Sequence, residues 1–152
     1  MKKPALSGTD LASPKQQRNW DWRAASNFIA GGSGGALLLL ASLGSLEAGA
    51  LRAAILLGLG LIACGLTCVW FEIGRPLRAL NVYRHFATSW MTREAVVALV
   101  VFATGGLAFL LAQALPALLA GVAGLAFLYS QARILAANKG IPAWRHPRSV
   151  PL

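Results

Sequence analysis

The stretch Glu72-Ile-Gly-Arg-Pro-Leu-Arg-Ala-Leu-Asn-Val-Tyr-Arg-His-Phe-Ala-Thr-Ser-Trp-Met-Thr-Arg-Glu94 decides how the rest of the chain is read. It gathers Glu72, Arg75, Arg78, Arg84, Arg93 and Glu94 between two long apolar runs. A charge at the centre of a bilayer costs about 3 kcal/mol or more. Charges at the end of an apolar run must therefore be solvated, paired or docked. Outward from this stretch, four apolar segments stand out at about 24–46, 51–73, 95–114 and 115–136. Each is long enough to cross a hydrocarbon core of about 30 Å at a rise of about 1.5 Å per residue. The turns near 47–50 and 113–116 are short, so each half of the chain reads as an antiparallel helical hairpin. The expected fold is all-α, an integral membrane four-helix transmembrane bundle. A polar segment 1–23 precedes the spans at 24–136, a basic loop 74–94 divides them, and a tail 137–152 follows.

Composition agrees with that reading. Of 152 residues, 57% are hydrophobic and only 12% charged, where soluble domains carry about 25% charged residues. The net charge of +9 has no soluble basic face to sit on, so nucleic acid is not an expected partner. Lys and Arg instead record orientation and contact with membrane lipid or an acidic partner. They concentrate in the amino-terminal segment, the central loop and the tail, while the opposite side offers only Arg52 and Glu47. Both termini and the loop are therefore expected in the cytoplasm. Trp20, Trp22, Trp70, Trp90 and Trp144 fall near helix ends on that same side, where the headgroup region accommodates an apolar ring with an N–H. The polar lead of 23 residues is too long for a signal-peptide n-region, so the first apolar run is expected to stay in the membrane.

Several chemistries are excluded. The two cysteines, Cys64 and Cys68, are too few for an iron–sulfur or zinc site, and at i, i+4 they read as small packing residues. The two histidines, His85 and His146, lie outside the spans, so the chain alone holds no bis-histidine haem, and no metal is expected. Glycines recur within the helices, including Gly31-xxx-Gly35. They read chiefly as close helix contacts, with room for a flat ligand as the alternative.

Within the loop, Gly74 and Pro76 end the second helix, and residues 76–86 suit a short interfacial helix. Ser89 or Thr92 can cap the third helix, which places Glu94 in its first turn, where the helix dipole favours an anion. Glu72 has two readings. One is an interfacial salt bridge with Arg75 at i+3, worth little. The other is a carboxylate that transfers protons to or contacts a quinone at the membrane edge.

Glu72-Ile-Gly-Arg-Pro-Leu-Arg-Ala-Leu-Asn81, then Ser89-Trp-Met-Thr-Arg-Glu94 and the tail Gly140-Ile-Pro-Ala-Trp-Arg145, resemble the membrane anchors of molybdenum oxidoreductase complexes. These are the DMSO reductase anchor and its NrfD and polysulfide reductase relatives. The resemblance implies a haem-free anchor that binds menaquinone or ubiquinone in a bacterial inner membrane. Its partners would be a ferredoxin-like iron–sulfur subunit and a molybdopterin catalytic subunit. Glu72 would be the proton-transfer residue, although relatives often carry histidine there. Trp70, Arg75, Arg78, Asn81, His85, Trp90 and Arg93 would shape the quinone site or the docking surface. Family anchors usually have eight or more helices, and the four here correspond to their first half. That implies a truncated or split anchor with a second anchor half, a half that forms a homodimer, or a fragment.

DMSO-reductase-type complexes usually hold their catalytic subunits outside the cytoplasm, whereas the charge pattern here expects them inside. The lead-in Asn19-Trp-Asp-Trp-Arg23 is similar to the anchors of phenylacetyl-CoA:acceptor oxidoreductases, which fits a cytoplasmic substrate. Two other functions compete: a small four-helix transporter, disfavoured by helix centres without ionisable residues, and a purely structural assembly subunit.

Overall fold

A computed structural model of the chain describes residues 22–72 and 89–137. Among the described residues there are four long helices and no strand. We label them α1 (Trp22–Leu43), α2 (Ala48–Glu72), α3 (Trp90–Leu111) and α4 (Ala114–Ala137). All four are long and apolar enough to cross a membrane. Ile29, Leu40, Phe71, Leu99, Leu110 and Leu115 point away from the bundle, most of each side chain exposed. So wide an apolar exterior is solvated by lipid, because a soluble surface does not expose contiguous patches of that size.

Each helix ends for a local reason. Gly44 turns extended (φ −82°, ψ 147°) and stops α1 before the expected residue 46, its N–H still reaching Leu40 O. Ala112 closes α3 in the left-handed region at φ 50°, with its N–H on Ala108 O at 2.8 Å. That conformation costs an alanine about 1–2 kcal/mol, and it lets α4 start two residues later. Pro116 lies in the first turn of α4, where its missing N–H would have had no helical partner. At the other end, α3 starts at Trp90 rather than 95, directly after Ser89, one of the two residues expected to precede it. Ser89 is extended (φ −118°, ψ 122°) and makes no side-chain cap; its carbonyl accepts from Arg93 N–H at 3.2 Å.

The helices run up, down, up, down in a ring. α1 packs against α2 and α4, while α3 packs chiefly against α4 and more lightly against α2. Association in lipid rests on close packing rather than the hydrophobic effect, and glycines supply it. A Cβ on Gly34 would stand 2.5 Å from Gly58 O, and one on Gly124 would stand 2.7 Å from Gly35 O. The α1–α2 and α1–α4 backbones therefore touch directly, as the packing reading of these glycines expects. Leu38, Ile55, Ile62, Val101 and Phe127 fill the centre. Cys68 is half-buried but Cys64 is exposed on the outside, so it is not the internal packing residue expected; both thiols are free.

Candidate functional site

The buried polar residues lie at one end of the bundle. Asn27, Thr92, Glu94, Ser130 and Gln131 are each less than a tenth exposed. They sit in the first two turns of α1 and α3 and the last two turns of α4, roughly 3–10 Å inside the helix ends at the rise of an α-helix. Three form a connected group. Asn27 Nδ2 donates to Glu94 Oε1 at 3.3 Å, across the bundle from α1 to α3. Gln131 Nε2 donates to the backbone carbonyl of Asn27 at 3.1 Å, and the Gln131 side chain also hydrogen-bonds the Glu94 carboxylate. α2 contributes space: a Cβ on Gly65 would come within 3.1 Å of Asn27 Oδ1. Every helix thus takes part in the site.

The backbone adapts to it. Residues Asn27–Gly31 form a π-helical turn inside α1. A widened turn releases a carbonyl from the regular ladder, and inserted π turns recur at functional sites. Here the Asn27 carbonyl is satisfied by Gln131 from another helix. Gly31 is required beside it, since a Cβ there would meet Gln131 Nε2 at 2.7 Å and Phe127 at 3.0 Å. One polar atom is left over: Asn27 Oδ1 is buried with no hydrogen-bond partner among the described residues.

A second cluster lies on the outside at the same end. The Arg93 guanidinium stands 4.3 Å from the Trp90 ring centre and that of Arg133 4.8 Å from it. Tyr129 meets Trp90 edge-on at 5.8 Å and lies 6.0 Å from Arg133. The structure thus brings Trp90 and Arg93 of the expected site residues together and adds Arg133 and Tyr129 to them. Trp70 stands exposed near the end of α2. Arg75, Arg78, Asn81 and His85 lie outside the described residues, as does the side chain of Glu72, which closes α2.

Glu94 changes role. Expected in the first turn of α3 as a dipole-stabilised anion, it lies in the fifth helical position, buried and turned inward onto two amides. Asn27 and Gln131 are not among the site residues expected from sequence. Their signal was available: each is an amide within an otherwise apolar run, and such a group in a span must find a partner. Among the described residues no group of His, Cys, Asp or Glu is placed to hold a metal ion.

Four membrane-crossing helices around a carboxylate–amide cluster define a multi-pass integral membrane protein. The chain belongs to the family described as "DMSO reductase anchor subunit (DmsC)", whose sequence model matches residues 36–150. The match takes in Glu94, Gln131 and both arginines on Trp90, and begins beyond Asn27. No curated protein and no solved structure matches the chain.

Proposed function

We propose that this anchor subunit passes electrons between the membrane quinone pool and a ferredoxin-like iron–sulfur subunit serving a molybdopterin catalytic subunit. In this reading the Asn27–Glu94–Gln131 cluster is its proton-handling site. The buried carboxylate carries the proposal. Ionisable groups inside a span are expensive and mark function by default, and this one is held by neutral amides from two other helices. When bound, the quinone/quinol couple would supply the two-electron, two-proton exchange, accepting as quinone and donating as quinol.

The residues present fit such a group. Glu94 offers a carboxylate that can accept or return a proton, and Asn27 Oδ1 is a buried acceptor in need of a donor such as a quinol hydroxyl. Gln131 fixes the π turn that aims Asn27. The distribution of Lys and Arg supports a cytoplasmic loop and termini, hence cytoplasmic soluble partners on a bacterial inner membrane. The Asn19–Arg23 lead-in favours partners of the phenylacetyl-CoA oxidoreductase type.

The test is Glu94→Gln in the intact complex, beside Glu72→Gln. For Glu94→Gln, quinone-linked turnover is expected to fall about 100-fold or more, the usual contribution of a positioned acid or base. Activity of the soluble subunits with an artificial electron carrier, and co-purification of those subunits, should be unchanged. Full quinone-linked turnover in Glu94→Gln would remove Glu94 from the mechanism. A comparable loss in Glu72→Gln alone would return the role to Glu72.

A further inference from the structure

We infer that Arg93, Arg133 and Trp90 form a binding site for the phosphate of an anionic phospholipid, with one acyl chain lying along α4. The inference stands on the outer surface of the bundle and does not depend on the quinone reading. Two guanidinium groups, one from α3 and one from α4, approach a single indole at 4.3 and 4.8 Å. Two guanidinium groups gathered on one ring offer an anion two cationic contacts at once. Contact with the indole limits the freedom of both side chains, and arginine makes forked contacts with phosphate oxygens. Among the described residues Arg133 meets two rings and no carboxylate. The nearby Glu94 is turned into the core.

The surface below the arginines decides between a lipid and an acidic protein. Leu118, Val122, Leu125 and Tyr129 are each between 44% and 55% exposed. With spacings of four, three and four they form one stripe on α4, and Arg133 follows four residues later. The stripe and its cation span about 22 Å at the helical rise, more than the roughly 15 Å of one leaflet's hydrocarbon. An apolar track ending in paired cations at the membrane edge matches a phospholipid: chain on the track, phosphate at the arginines. An acidic protein surface would use the cations but leave the track without a role.

The test uses the full chain, extracted with its accompanying subunits and stripped of loosely held lipid. Phosphatidylglycerol, phosphatidylcholine or inorganic phosphate is then added. Native mass spectrometry of the folded fraction reads the bound lipid, and thermal unfolding reads the stabilisation. Phosphatidylglycerol should bind and raise the melting temperature, whereas phosphatidylcholine and inorganic phosphate should not. Each arginine near an anionic surface contributes enough for about a fivefold change in binding. Arg93→Gln and Arg133→Gln should therefore each weaken phosphatidylglycerol retention about fivefold, with Arg133→Lys in between and Arg52→Gln, at the far end, unchanged. Equal retention of phosphatidylcholine, or undiminished retention in the double variant, would overturn the inference. So would full stabilisation by inorganic phosphate, or a double variant that sheds its soluble partners while keeping its lipid.

Discussion

The two ends of this bundle use polar groups in opposite ways. At the end formed by the turns near Gly44 and Ala112, the buried residues are apolar: Leu38, Ala41, Leu51, Ala108, Ala117 and Ala120. The arginine there, Arg52, donates from Nε to Phe109 O at 3.1 Å and from Nη2 to Leu110 O at 3.5 Å. It ties α2 to the last turn of α3, where the helix dipole favours a cation, and its task ends there. At the other end, five polar side chains are buried, α1 is distorted into a π turn, and two arginines stack on an indole. Folding alone does not require that arrangement. Apolar residues would fill the same space without the cost of desolvating a carboxylate and two amides. One end is packed with apolar side chains, and the other holds buried polar groups at the expense of stability.

The sharpest way to break this comparison is to disturb the glycine contacts that both ends share. Gly34→Val places its Cβ 2.5 Å from Gly58 O, against backbone that cannot move aside. A loss of about 3 kcal/mol or more is expected, at or beyond the upper range for overpacking, read as a fall in melting temperature and in membrane accumulation. Gly60 has no neighbour within 4 Å of a built Cβ, so Gly60→Ala should be neutral or gain up to about 1 kcal/mol of helix propensity. Equal damage from both changes would show that composition, rather than backbone approach, sets the packing.

A smaller effect is expected within the polar end. Gln131→Leu keeps the side chain's bulk but removes the donor to the Asn27 carbonyl and to Glu94. Leaving a buried acceptor unsatisfied costs about 1–3 kcal/mol, and the π turn should relax towards regular helix. Ser42→Ala at the apolar end removes only a local bond to Leu39 O and should change stability by less than about 1 kcal/mol. If the polar end is built for function, Gln131→Leu will also depress quinone-linked turnover beyond its effect on the amount of folded protein. A loss of stability alone would make Gln131 a packing residue.

Much of this was legible in the sequence, and what was not has a physical reason. Twenty-residue apolar runs declare spans, because no other backbone arrangement satisfies itself in hydrocarbon. Short turns between them force hairpins, so the fold class followed from length and composition. The start of α3 did not. By polarity Thr92 and Arg93 fall in the loop 74–94, whereas a helix start at Ser89 takes in both. In the structure each of these residues and Glu94 has a place that polarity conceals. Thr92 is buried, Arg93 lies on Trp90, and Glu94 faces Asn27. The site itself joins residues 67 and 104 positions apart. No local pattern carries such a pairing, and a π turn has no reliable sequence signature. The charge of Glu72 is conspicuous in the sequence, whereas the two amides that make Glu94 notable are not.

The weakest expected effect gives the cleanest contrast between the ends. Arg52→Gln removes a cation from the carboxyl end of α3 and two hydrogen bonds to backbone carbonyls that remain exposed to solvent or headgroups. Because those carbonyls are not left dry, the change should cost only about 0.5–1 kcal/mol, the range for a cation at a helix terminus. The loss should shrink as salt is raised, since the contact is exposed. It should be the same in phosphatidylglycerol and in phosphatidylcholine, because Arg52 is already committed to the backbone. Among the described residues Arg133 donates to no carbonyl, and its substitution should matter only where anionic lipid is present. If Arg52→Gln proved as lipid-dependent as Arg133→Gln, the two ends would be ordinary cationic rims of one kind. The asymmetry would then reside in the buried cluster alone.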